Sequence, residues 1–181
     1  MKVAFFSEMG NNQKYPRDFP NARTEVGWCV ALDAPMCHLE HLPKDKFDLG
    51  IVIIPKNNPN VDLNHIRKVC DKVAVMQEGP HWFFQDYSLD KQFHYYNTLV
   101  EADWVYCHNE SDVSYYLGLG CKDVRVMRSL MIPEGLTSRR EILIDSYGDL
   151  PSPKSYEKPK VMIGGNFVSW YGGFDSYIAV R

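Results

Sequence analysis

The chain has 181 residues, enough for one well-buried domain and too few for two of ordinary size. Hydrophobic residues at 45% and charged residues at 24% exclude a disordered polar chain. The net charge is -3 and no basic run exceeds the pair Arg139-Arg140, so bulk nucleic-acid binding is not expected.

The N-terminus, MKVAFFSEMG, carries one Lys and a four-residue apolar run, too short for a signal peptide or a membrane span, and a cytoplasmic protein is expected. That run, Val3 to Phe6, is the first predicted strand. A loop of about fifteen residues follows, long for such a connection, bearing Glu8, Asn11, Asn12, Lys14, Arg17, Asp18 and Arg23. It reads either as a solvated loop or as a binding loop; it lacks G-x-G-x-x-G, which disfavours a dinucleotide pyrophosphate site. Helical spacing begins at Thr24, a candidate cap, and runs to Leu32.

Leu49 to Ile54 is the next strand, continuously apolar, as burial on both faces of a sheet requires. PKNNPNVD after it is turn chemistry, with Asn60 or Asp62 as cap of a helix over Leu63 to Cys70. The strand Val73 to Met76 leads into QEGPHWFFQDYS, the densest segment of the chain. There Glu78 leaves a buried strand, Gly79-Pro80 turns the backbone, and His81 and Trp82 set a titratable ring beside an aromatic face. A carboxylate at a strand end is placed for general-base work, and aromatic faces hold sugar rings or bases; the competing reading is that Glu78 caps the turn and the aromatics are core.

A helix is predicted over Leu89 to Val100 and a strand over Trp104 to Cys107. HNESD then offers His108, read as a packed or capping residue before a catalyst, with Asn109 or Ser111 as cap of a helix over Ser111 to Leu119. Gly118 and Gly120 stand where that helix would stop. The aromatic runs FHYYNTL and SYYLGL have helical spacing and read as core faces. The last strand of the series is Val124 to Met127, and RSLMIPEGL leads away from it. The five cysteines form no C-x-x-C pair and no cluster with His at metal-ligand spacing, so most are expected reduced and buried.

Alternation of short apolar strands with helix-length crossovers predicts an α/β, Rossmann-like doubly wound parallel sheet over residues 1–136. Residues 137–159, with three prolines between 151 and 159, are expected to be a linker. Residues 160–181 then restart the pattern as strand, Gly164-Gly165-Asn166 turn and helix, the opening of a second Rossmann-like domain.

These parts resemble the GT-B type glycosyltransferases, two Rossmann-like domains facing across a cleft, and in detail the phage-type glucosyltransferases, whose second domain opens like VMIGGNFVSWYGG here. The resemblance covers the chain in architecture and rests on pattern, without a strict signature motif. It implies transfer of a sugar from a nucleotide-sugar donor to an acceptor hydroxyl. Those enzymes place an acidic base directly after a strand of the first domain, and Glu78 takes that position, as Glu in place of Asp. The acceptor would then be held by Glu8, Lys14, Arg17, Arg23, His81 and Trp82, and the donor phosphates by Gly164, Gly165 and Asn166, glycine permitting close backbone approach.

No tightly bound metal or cofactor is implied, and the sequence has no D-x-D motif. The nucleotide-gripping Glu/Arg/Lys cluster of such enzymes belongs to the rest of the second domain, so this chain alone is expected to be a truncated, inactive form. Two rivals remain at this stage. One is a non-catalytic binding module or partner subunit on the same sheet, with residues 160–181 packed back onto it. The other is a small hydrolase, against which the missing G-x-S-x-G elbow counts.

Overall fold

The computed structural model describes residues 1–20, 23–77, 87–130 and 132–147. In chain order these form β1 (Val3–Ser7), α1 (Thr24–Ala31), β2 (Met36–His38), β3 (Phe47–Ile54), α2 (Leu63–Ile66), β4 (Cys70–Gln77), α3 (Leu89–Glu101), β5 (Trp104–Cys107), α4 (Val113–Gly118), β6 (Val124–Val126) and α5 (Pro133–Tyr147). A single 3-10 turn, Glu110–Asp112, precedes α4. The chain divides into two units, Met1–Ser146 and Tyr147–Arg181, and the sheet belongs to the first. Among the described residues no helix is long and apolar enough to cross a membrane.

The six strands make one sheet in the order β2-β1-β3-β4-β5-β6, every pair parallel. The expected doubly wound α/β sheet is therefore the fold. Side chains alternate across it. Ala4, Phe6, Val52, Ile54, Val73 and Val75 point to one face with Leu63, Ile66, Tyr95, Leu99 and Tyr116. Val3, Phe5, Leu49, Ile51, Ile53 and Met76 point to the other with Trp28 and Cys29. So α2, α3 and α4 cover the first face and α1 the second. Right-handed crossovers demand this division, because β1 to β2 steps one way along the sheet and every later crossover steps the other. Both faces being covered, β1, β3 and β4 carry apolar residues at consecutive positions.

Several local expectations change. β2 had not been anticipated: three residues behind Pro35 give too short a signal, and pairing with β1 at Phe5↔Met36 makes it a strand. The helix expected to reach Cys70 is one turn, because the Val69 carbonyl accepts from Phe47 N–H (2.9 Å) and commits the chain to the β3–β4 ladder. Thr24 is not a cap; Arg23 takes the cap position of α1 without a side-chain bond. Asn109 and Ser111 likewise make no capping bond, whereas the Asp62 carboxylate accepts from the Asn64 and His65 N–H groups. Gly120 ends α4 at φ +92°, a conformation only glycine adopts without strain. α5 occupies residues 137–147 of the stretch expected as linker, with Pro133 and Glu134 in its first turn.

One ion-pair cluster ties α2 and α3 to the sheet. Asp103 accepts from Arg67 Nη2 (3.0 Å), Lys72 Nζ (3.1 Å) and the Val73 N–H (2.9 Å). Burial alone would raise its carboxyl, but these three donors outweigh it and hold it below the usual carboxylate range. A depressed folded-state value stabilises the fold above the unfolded carboxylate pKa of about 3.9, and that contribution is lost as pH falls through the folded value. Asp103→Asn is expected to cost about 2 kcal/mol at neutral pH, a deficit that shrinks as acid is added. Urea titrations of both proteins across pH check it; a deficit independent of pH would refute the electrostatic origin.

Candidate functional site

Doubly wound sheets bind ligands beyond the carboxyl ends of their strands, where the direction of winding reverses. Here the reversal lies between β1 and β3. Two hollows straddle that point. The larger, about 550 Å³, is lined by Glu8 after β1, His38, Leu39 and Glu40 at the end of β2, and Pro55, Asn58, Asn60, Val61, Asp62 and His65 after β3. The smaller, about 180 Å³, is lined by Ser7, Glu8, Met9, Arg23, Glu25, Ile53 and Pro55 at the start of α1. Glu8 and Pro55 border both hollows, which together make up the crevice.

The walls are fixed from behind. Asn12, at φ +61°, accepts from His38 N–H (3.0 Å) and donates to the His41 carbonyl (2.9 Å), clamping the segment after β2 at both ends. The His38 Nδ1 accepts from the Glu40 and His41 N–H groups (3.0 and 3.3 Å), which leaves its proton on Nε2, and its ring stacks on His41 at 4.7 Å. On the opposite wall the buried Thr98 hydroxyl of α3 lies 3.0 Å from the Pro59 carbonyl, and Lys91 Nζ holds the Asn57 carbonyl at 3.2 Å. Asn12→Ala removes both clamp bonds and forces an alanine into the left-handed region; it is expected to cost about 2 kcal/mol. Asn12→Gly should recover roughly half of that by relieving the backbone. Denaturant titration of the pair reads both effects.

The long loop after β1 does more than meet the crevice. It doubles back along the outer edge of β2, where Asn11 and Asn12 N–H groups bond the Met36 carbonyl (3.1 and 2.8 Å) and Met36 N–H bonds Gln13 (2.9 Å). An exposed sheet edge is thereby covered. This course disperses the residues expected to bind acceptor. Glu8 and Arg23 share the smaller hollow, Arg23 paired with Glu25. Lys14 pairs with Asp33 (2.6 Å) in a separate hollow at the amino ends of β1 and β3, and Arg17 pairs with Glu134 of α5 (2.7 Å). Glu78, His81 and Trp82 lie outside the described residues, as do Gly164, Gly165 and Asn166. Residue 78 directly follows the end of β4, where the buried Gln77 side chain accepts from the Tyr95 hydroxyl.

His38, Glu40 and His65 were missed in the sequence. His38 and Glu40 carry no local signal because β2 is only three residues long, and His65 sits in a one-turn helix behind PKNNPNVD, whose composition is that of a turn. His108 does stand at a strand end as a packed residue: its ring stacks on Trp28 at 5.9 Å, and Trp28 in turn donates to the Arg128 carbonyl. The aromatic helices divide, with Tyr95 and Tyr116 in the core and Phe93 and Tyr96 exposed.

All five cysteines are buried and free. Burial pushes the Cys29, Cys37 and Cys70 thiols up to about 12, and raises Cys107 and Cys121 as well, so each is held as the poorly nucleophilic thiol. Among the described residues no group of three or more His, Cys, Asp or Glu side chains is arranged to hold a metal ion. No family model, no curated protein and no solved structure matches the chain.

Proposed function

We propose that the chain is the acceptor-binding side of a GT-B type glycosyltransferase. The observation that supports this best is the crevice at the β1/β3 switch point. Its size lies within the roughly 300–1,000 Å³ of small-molecule sites. Seven of its ten lining residues carry a carboxylate, imidazole or carboxamide, groups that exchange hydrogen bonds with a polyol, and Leu39, Pro55 and Val61 supply apolar surface.

In this reading a sugar or other hydroxylated acceptor sits against Glu8, His38 and Asn58. Glu78, the residue after β4, takes the proton of the reacting hydroxyl as its oxygen bonds to the anomeric carbon and the nucleoside diphosphate leaves with the electron pair of the broken bond. The reaction would take place in the cytoplasm, where nucleotide-sugars are the co-substrate and no tightly bound cofactor is called for.

The test is an amide-resolved NMR titration of the chain with neutral mono- and disaccharides. Saccharide is expected to shift the amides of Glu8, His38 to Glu40 and Asn58 to His65 together. If no saccharide moves them at millimolar concentration, the reading fails.

A further inference from the structure

From the charge of the crevice walls we infer that its ligand is an uncharged or amine-bearing saccharide, and that phosphorylated and uronic-acid sugars are rejected; this rests on the glycosyltransferase reading. The larger hollow has three carboxylates on its walls, Glu8, Glu40 and Asp62, and among the described residues that line it no Lys or Arg. The smaller hollow adds Glu25 and one cation, Arg23, whose guanidinium is paired with that same Glu25. The two histidines on the wall do not reverse the balance. His38 is fixed with Nδ1 as an acceptor of backbone N–H groups, and His65 Nε2 lies 3.3 Å from the Glu40 carbonyl.

An anion entering this space meets like charge on three walls, with no Lys or Arg among the described residues that line the larger hollow to replace its water. A hydroxyl-rich neutral ring meets carboxylate acceptors, carboxamides at Asn58 and Asn60 that both donate and accept, and a donor at His38 Nε2. An ammonium group gains from the carboxylates directly. A phosphate-binding site has the opposite build, with Arg, Lys or a cradle of backbone N–H groups aimed at the anion. Selection is thus written into the lining itself, and Glu8, common to both hollows, is the residue with most influence on it.

The experiment compares matched sugars differing only in charge: glucosamine, glucose, glucuronate and glucose 6-phosphate, with the galacto- and manno-configured sets beside them. Each is titrated at low ionic strength while the crevice amides are followed. The amine-bearing sugar is expected to bind at least about tenfold more tightly than its uronate, with the neutral sugar between, and added salt should compress the order. In Glu8→Gln/Glu40→Gln, two exposed positions whose substitution leaves the core untouched, the order should flatten to within about twofold. Uronate or phosphate binding as tightly as amine overturns the inference and leaves the saccharide reading standing. A charge order that the double variant preserves also overturns it, since the selection then resides elsewhere. If no sugar of any charge shifts those amides, the inference and the saccharide reading fall together.

Discussion

On the proposed glycosyltransferase reading, Glu78→Gln in a sugar-transferring form of the protein is expected to lower kcat by at least about 100-fold while moving the acceptor KM far less. The substitution keeps the shape and hydrogen-bonding reach of the side chain and removes only its capacity to take a proton. A positioned general base contributes roughly 10² to 10⁴ in rate, and a loss confined to kcat marks an interaction made in the transition state. The acid limb of the pH–rate profile should vanish with the carboxylate. Turnover within a factor of a few of wild type would remove Glu78 from the role. A protein that binds saccharide and transfers none would favour the non-catalytic module.

Gly10→Ala is expected to destabilise the domain by about 3 kcal/mol and to open the crevice at its β2 wall. A Cβ at this position would lie 2.0 Å from the Cys37 carbonyl oxygen and 2.6 Å from the His38 nitrogen, contacts that no side-chain motion relieves. The Cys37 and His38 backbone cannot retreat, being paired with Phe6 and Ser7 of β1. The loop must therefore lift, and it takes with it the Asn11 and Asn12 bonds to Met36 and the Asn12 clamp on His38. Equilibrium unfolding measures the first effect, and the amide shifts of His38 to His41 the second. A variant as stable as wild type within about 0.5 kcal/mol would mean that the loop does not lie on β2 in solution.

The sheet was legible because burial on both faces leaves an unmistakable trace. Leu49 to Ile54 and Val73 to Met76 are apolar at consecutive positions, and only a strand covered on two sides tolerates that over so short a length. α3 and α4 followed from spacing, the helix before β4 proved only one turn long, and Asp62, offered beside Asn60 as its cap, takes that place by bonding its own local backbone. Glu8 could be singled out because it follows a recognisable strand.

The crevice as a whole was not legible. Its β2 wall depends on a three-residue strand that exists because β1 offers an open edge, a long-range fact with no local signature. The separation of Lys14 and Arg17 from Glu8 depends on a loop that turns back to cover that edge. Glu8 and Lys14, close in sequence, thus reach opposite ends of the sheet.

Sequence by itself determined the class of fold, since periodicity and burial are properties of each segment and its solvent. It also set the reduced, buried state of the cysteines. Only the tertiary structure decided where the winding reverses, which walls meet there and what charge they carry, because each is a pairing of segments far apart in the chain and no residue holds that information alone.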